Sequence, residues 1–442
     1  MAKLALVARF PEFADIIAMC YVDNCFIGCS SVAEGNLKAH MAKEIFSTID
    51  MNLREYYCNN MEILRDFSER SLSDNHLQKI LGLPWNALLD VITWTIQYKT
   101  LPTKKITKRV AARILSSLFD PTGILIPAIL PGRLFLQKLW DYPYQWNDEL
   151  LPDHQVELAE IIAALQGEQL SLPRAIVHRS PGETITLVLF SDASSRAYAT
   201  VAYLRVENEF GVSVHQIKAN FKLVPLRGKE RFTIPKVELL GLYLSGKLAL
   251  FLFDKLELTF DSVHFFGDNT ATLAWLSKPP REGVFVRNRL QFLTETFSFF
   301  ASKGLPCHVH YVESKVNPAD RATRGLSGAE LAADHVWLRG PDQLLTPPVS
   351  WPVFQPRVVD SPDLSEAIHP VVLSEDSFPL EPIAVELEVE PQPAKPLDGL
   401  SRALLPRFGS PLPRCSRFGM PRNSCQPSRS NASPSSGLFF KQ

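Results

Sequence analysis

Thr184-Ile185-Thr186-Leu187-Val188-Leu189-Phe190-Ser191-Asp192 is a run of apolar and β-branched residues that stops on a serine and a carboxylate. A continuous apolar run of this length reads as a strand covered on both faces. Two more strand-like stretches follow, Ala197 to Val206 and Val212 to Ala219, making an antiparallel meander. Pro235 opens a helix to about Phe253, as suits proline in a first helical turn. Ser262 to Phe266 reads as a short strand, Thr270 to Leu276 as a short helix and Val284 to Ser302 as a longer one. His308 to Val312 is a strand, and Asn317-Pro318 starts a last helix. The order βββαβααβα predicts an α/β fold of the α+β kind, a mixed sheet with helices packed on it.

Four carboxylates in this segment stand at strand ends and helix starts. Asp192 ends the first strand, and Glu238 lies in the first turn of a helix among Val237, Leu239 and Leu240. Asp268 closes a strand just before Asn269-Thr270, and Asp320 is three residues past Asn317, a candidate N-cap. Singly, each is explained as a first-turn acid facing water or favoured by the helix dipole. Together, at one edge of a sheet, they would repel and raise one another's proton affinity. A divalent cation removes that penalty, and hard oxygen ligands suit magnesium or manganese. Two such ions about 4 Å apart can hydrolyse a phosphodiester.

Elsewhere the chain changes character. Of its 34 prolines, 17 fall in residues 346–442, so the 46% hydrophobic composition belongs mostly to the first 345 residues. The last stretch, acidic from Asp360 to Glu390 and basic from Arg402 to Arg429, lacks periodicity and is expected to be disordered. No apolar run reaches the roughly 18 to 20 residues that cross a bilayer. Arg9, Glu12 and Asp15 interrupt the first apolar stretch, which a signal-peptide core would not tolerate. The expectation is a soluble intracellular chain, cytoplasmic or nuclear, with no membrane partner. Seven cysteines without a CxxC pair fit a reducing compartment. Cys20, Cys25 and Cys29 are expected to be buried thiols.

A net charge of −1 excludes a uniformly basic nucleic-acid binder, yet leaves room for local patches. The strongest basic run lies between Lys99 and Arg113, with Lys104, Lys105, Lys108 and Arg109 and no acid. It suits phosphate contact or a solvated helix face equally. It leads into a helix ending at the turn Asp120-Pro121-Thr122-Gly123, with helices at about 133–140 and 153–165 beyond. Glu12 to Cys29 reads as a β-hairpin with Tyr21-Val22-Asp23-Asn24 at its tip, Ala33 to Thr48 as a helix, and Glu62 to Ile96 as alternating strand pieces.

Five strings carry a resemblance: Ser191-Asp192-Ala193-Ser194, Phe232-Thr233-Ile234-Pro235-Lys236-Val237-Glu238-Leu239-Leu240, Gly267-Asp268-Asn269-Thr270, Phe285-Val286-Arg287-Asn288-Arg289 and Asn317-Pro318-Ala319-Asp320-Arg321-Ala322-Thr323-Arg324-Gly325. In this order they resemble the ribonuclease H region of BEL/Pao-type LTR retrotransposon polyproteins. The resemblance implies a ribonuclease H fold that cleaves the RNA strand of an RNA/DNA hybrid with two magnesium (or manganese) ions. By motif, Asp192, Glu238, Asp268 and Asp320 would be the catalytic, metal-binding carboxylates. Leu81 to Trp85 and Ile114 to Trp140 resemble the stretch labelled a Pao retrotransposon peptidase in those polyproteins. Asp120-Pro121-Thr122-Gly123 is not the Asp-Thr/Ser-Gly of aspartic proteases, and a turn before a helix explains it.

Tyr21-Val22-Asp23-Asn24 resembles the Tyr-Val-Asp-Asp hairpin of reverse transcriptases, with Asn24 in place of the second acid. With Asp23 as its one acid and no fingers ahead of it, no polymerase activity is expected. The loop Glu313-Ser314-Lys315-Val316 lacks the histidine that some ribonucleases H carry, and His308 and His310 read as core or sheet-face residues.

RNA/DNA hybrids are gripped through 2′-hydroxyls and phosphates. Ser194, Asn269, Thr270, Arg287, Arg289 and Arg321 are candidate donors near the carboxylates, and Lys104, Lys105, Lys108 and Arg109 further off. The expected organisation is a reverse-transcriptase palm/thumb remnant (1–98), a connection region (99–172), a ribonuclease H-like domain (173–345) and a Pro-rich disordered tail (346–442). A complete reverse transcriptase is a candidate partner. The rival readings are a catalytically inactive remnant that binds nucleic acid or protein, and an aspartic-type Pao peptidase.

Overall fold

The N-terminal region folds as helix against sheet in the computed structural model, which describes residues 8–18, 20–21, 24–67, 77–101, 105–165, 167–177, 181–226, 232–281, 283–352, 354 and 436–441. Helix α1 (Ala14–Ala18) leads to strands β1 (Cys20–Tyr21) and β2 (Asn24–Cys29), so the first limb of the expected hairpin is mostly helical. The hairpin itself closes tightly, with Tyr21 paired to Asn24. Ser31 caps α2 (Val32–Ser47) through the Glu34 N–H, and β3 (Arg54–Cys58) follows. Cys25, Cys29 and Cys58 are buried in this layer, as expected for the first two, whereas Cys20, at the edge of the hairpin, is only half-buried.

β4 (Leu77–Ile80), β5 (Leu83–Asn86) and β6 (Val91–Ile96) form a meander. Next come α3 (Lys108–Leu115), α4 (Ile126–Lys138) and α5 (Pro152–Ala163). The helix expected at 133–140 therefore starts earlier, with a proline in its first turn and Pro131 inside it. β7 (Glu168–Pro173) returns to pair antiparallel with β6 along its whole length. The sheet β4-β5-β6-β7 thus joins strands on both sides of the expected 98/99 boundary.

The deciding run becomes β8 (Thr184–Ala193), flanked by β9 (Ala197–Asn208) and β10 (Gly211–Leu223) in the expected antiparallel meander. α6 (Ile234–Lys255), β11 (Ser262–Gly267), α7 (Thr270–Trp275), α8 (Val284–Ser302), β12 (Cys307–Tyr311) and α9 (Ala319–Arg324) complete the predicted order. β11 lies parallel to β8, and β12 parallel to β11, giving the strand order β10-β9-β8-β11-β12. Short helices α10 (Gly328–Ala333) and α11 (His335–Arg339) close the segment.

Period-two alternation splits β8 between two cores. Ile185, Leu187 and Leu189 face the layer that contains Leu239, Leu242, Leu290 and Leu293 of α6 and α8. Val188 and Phe190 share the opposite core with Ile114, Ile126, Phe135, Leu158 and Trp337. Each fully buried aliphatic or aromatic side chain is worth about 1.5–3 kcal/mol, so the expected connection region is one wall of the ribonuclease H-like core. Trp337 Nε1 fastens the two by donating to Ile124 O at 2.8 Å.

The packed chain also runs past residue 345: Trp351 is buried, and its Nε1 donates to Gln343 O at 2.9 Å. Between β2 and β3 lies β13 (Ser436–Lys441), antiparallel to both. The remainder of the Pro-rich segment, on which the expectation of disorder falls, lies outside the described residues. Among the described residues no helix is long and apolar enough to cross a membrane.

Candidate active site

β8 ends where its covering helix α6 begins, and that junction gathers the carboxylates. Pro235 lies in the first turn of α6, which places Glu238 in the second turn rather than the first. Glu238 is buried, at 8% exposure, so it is not a water-facing helix acid. Gly241, one turn further, makes the approach possible. A Cβ there would lie 3.1 Å from Asp192 O and 3.5 Å from Ser191 Cβ. Sequence reading passed over this glycine.

Asp192 is 4% exposed at the end of β8, and Asp268 follows β11, the parallel neighbour of β8. One oxygen each from Asp192, Glu238 and Asp268 lies within 4.8 Å of the others. Asp320 stands outside that triad, in the first turn of α9, and accepts an ion-paired hydrogen bond from Arg324 Nε. Its charge still reaches the triad. Burial first, then the charges of Asp192 and Asp268, push Glu238 up to about 9. Burial chiefly raises Asp192 to about 7, with Asp268 and Asp320 adding to it and a bond from Thr323 opposing it.

Two like charges in a poorly hydrated site are costly unless something positive sits between them. Asp268 Oδ1 is buried and has no hydrogen-bond partner. Three converging carboxylates with an orphaned oxygen fit a hard divalent cation.

Several expected nucleic-acid contacts have other duties. Ser194 Oγ accepts from the Arg196 and Ala197 N–H groups and bonds to Thr323 O, holding the β8–β9 turn. Arg321 pairs with Asp334 and donates to the Lys315 and Asn317 carbonyls. Arg289 packs 3.7 Å from the Phe285 ring centroid and donates to Phe285 O. Asn269, rather than Asp268, caps α7 through the Thr272 N–H, while Thr270 and Arg287 are exposed.

Two cations of the basic run also have other partners. Lys108 is 4% exposed, its Nζ 3.5 Å from the Trp140 ring centroid and 5.9 Å from that of Trp146. Arg109 Nε donates to Asn147 Oδ1 at 3.0 Å. Lys105 is exposed, and Lys104 lies outside the described residues, as do Val22 and Asp23 of the polymerase-like tetrad.

Asp120 accepts the Gly123, Ile124 and Leu125 N–H groups at 2.8–3.0 Å, so its carboxylate organises the turn into α4. His310 and His264 are buried and bonded to each other, Nε2 to Nδ1, at 2.8 Å; burial lowers them to about 4 and about 3. His310 is thus a core residue, as its strand position suggested.

The strand order, the helix crossovers and the acids at the end of β8 define a ribonuclease H-like fold. Residues 107–269 match the family model described as a Pao retrotransposon-like RNaseH-like domain, which spans less than half of the chain. No curated protein matches the chain significantly. Among solved structures the chain is similar to RNase H1 from the halophilic archaeon Halobacterium salinarum NRC-1, with 12% identity, TM-score 0.21 and coverage of 31% of this chain and 90% of that one. It is similar to LC11-RNase H1 in complex with an RNA/DNA hybrid, at 10% identity and TM-score 0.24, covering 34% and 99%. The foamy viral protease-reverse transcriptase dRH in complex with double-stranded DNA is similar over 70% of this chain and 48% of its own, at 15% identity and TM-score 0.35.

Proposed function

We propose that this chain is a retroelement-derived, metal-dependent endonuclease that cuts the RNA strand of RNA/DNA hybrids. The observation that carries the reading is the convergence of Asp192, Glu238 and Asp268. Those three would hold magnesium or manganese, with Asp320 beside them. Cations held there would supply Lewis-acid activation for phosphodiester hydrolysis.

The chain's own groups do the rest. Glu238, with its proton affinity raised to about 9, carries a proton at neutral pH when metal-free. It must release that proton to become a ligand, so metal binding is coupled to proton loss. Asp268, with its orphaned oxygen, is a ready acceptor. Thr270 and Arg287 are exposed, and in this reading their hydroxyl and guanidinium would meet a sugar or phosphate of the hybrid. Polymerase activity is not part of the reading, because Asn24 replaces an acid that a second metal would need.

The test is cleavage of a labelled RNA/DNA hybrid by the full chain with magnesium or manganese. Asp192→Asn and Asp268→Asn should each lower the rate by more than about 100-fold, beyond the loss of an outer-shell partner. Hybrid binding without cleavage in either metal would replace the enzyme with a binding module.

A further inference from the structure

Asp192 is held from outside the carboxylate cluster. Thr323, in α9, is fully buried, and its Oγ1 donates to Asp192 Oδ2. The same hydroxyl lies 3.1 Å from Asp320 O, the usual resting place for a helical threonine. Ser194 Oγ bonds in turn to Thr323 O at 3.3 Å. On the other side of Asp192, the buried Asn317 donates Nδ2 to Ser191 O at 2.9 Å and accepts the Ala319 N–H at 3.1 Å. α9 and the turn before it are therefore clasped to the end of β8 before and after Asp192, and α9 touches the carboxylate itself through one hydroxyl.

A buried carboxylate with little water around it takes its rotation from whatever donor is fixed beside it. A donor on Oδ2 sets the carboxylate plane and leaves Oδ1 without that partner. We propose that Thr323 is the positioning residue for Asp192: its hydroxyl orients the carboxylate for a divalent cation and so sets the affinity of the cluster. The inference rests on the function proposed above and names a residue that acts through Asp192, not on the substrate.

Manganese binding to the full chain, followed by the electron paramagnetic resonance of free Mn2+, tests it without reference to turnover. Thr323→Ser and Thr323→Ala both lose the methyl and differ only in the hydroxyl. Thr323→Ala should bind about 10–100-fold more weakly than Thr323→Ser, the range for loss of an outer partner of a metal ligand. Thr323→Val against the parent chain repeats the comparison with the methyl kept, should the alanine variant unfold. At saturating manganese, hybrid cleavage by Thr323→Ala should return to within a few-fold of Thr323→Ser. Equal affinities in both pairs overturn the inference and leave the endonuclease standing. Cleavage lost even at saturating metal shows that Thr323 does more than position Asp192, and overturns it as stated. A parent chain whose manganese binding does not depend on Asp192 overturns both.

Discussion

Gly241 lies against the backbone of Asp192: a Cβ on the glycine would be 3.1 Å from the Asp192 carbonyl oxygen. That absent methyl lets Glu238, three residues earlier on the same helix, reach the end of β8. Gly241→Ala should push α6 outward by a few tenths of an ångström and cost about 1–3 kcal/mol, the usual penalty of overpacking. Denaturant unfolding measures the loss, and weaker manganese binding should accompany it.

Glu238 and Asp192 give the metal-free protein a pH dependence. Glu238 is raised from 4.5 to about 9 and Asp192 from 3.8 to about 7. The folded state thus holds protons that the unfolded chain has lost, and stability falls as pH rises. The loss begins above about pH 4, for Asp192 ends near 7, and for Glu238 near 9. Thermal melts in EDTA between pH 5 and 9 should slope downward, Glu238→Gln should flatten the slope, and magnesium or manganese should restore stability at high pH.

Lys108 was a candidate phosphate contact, and its ammonium is enclosed by Trp140 and Trp146. A desolvated cation–π contact is worth about 2 kcal/mol. Lys108→Met should lower stability by about that amount, while hybrid affinity at fixed salt stays the same. A hybrid dissociation constant that rose with a smaller salt slope would restore the phosphate role.

Asp120 is the one acid available to an aspartic-type peptidase in that stretch, and it spends its oxygens on three backbone N–H groups. Asp120→Asn should destabilise the chain by about 1–3 kcal/mol, the cost of leaving buried donors unmet. Electrophoresis over time should show no difference in self-cleavage between the variant and the parent.

Because Val188, Phe190, Val201 and Tyr203 pack into the same core as Ile126, Phe135 and Leu158, a fragment beginning at residue 173 loses one wall of its sheet. It should aggregate or bind hydrophobic dye, whereas a fragment of residues 77–354 should melt cooperatively. Calorimetry on the two fragments decides between them.

The sequence by itself determined the ribonuclease H-like order of elements, because period and punctuation are local: an apolar run ending at Asp192, a proline at the start of α6, an aspartate closing β11. It also marked the acids, since carboxylates at strand ends stand out against apolar neighbours. What tertiary structure decided was everything that depends on which surfaces meet. Glu238 moved from a water-facing first turn to a buried second turn because α6 rests on β8. Arg289, Arg321 and Lys108 were legible only as cations, and the partners that occupy them, Phe285, Asp334 and Trp140, are distant or unremarkable in sequence. Gly241 gave no signal, and Asn317 and Thr323 showed only a helix start and a place in a motif, because a close approach and a hydrogen bond across 126 to 131 residues leave no trace in periodicity. At residue 98 the composition changes, yet β6 finds its partner in β7 beyond it, because strand pairing is a long-range choice.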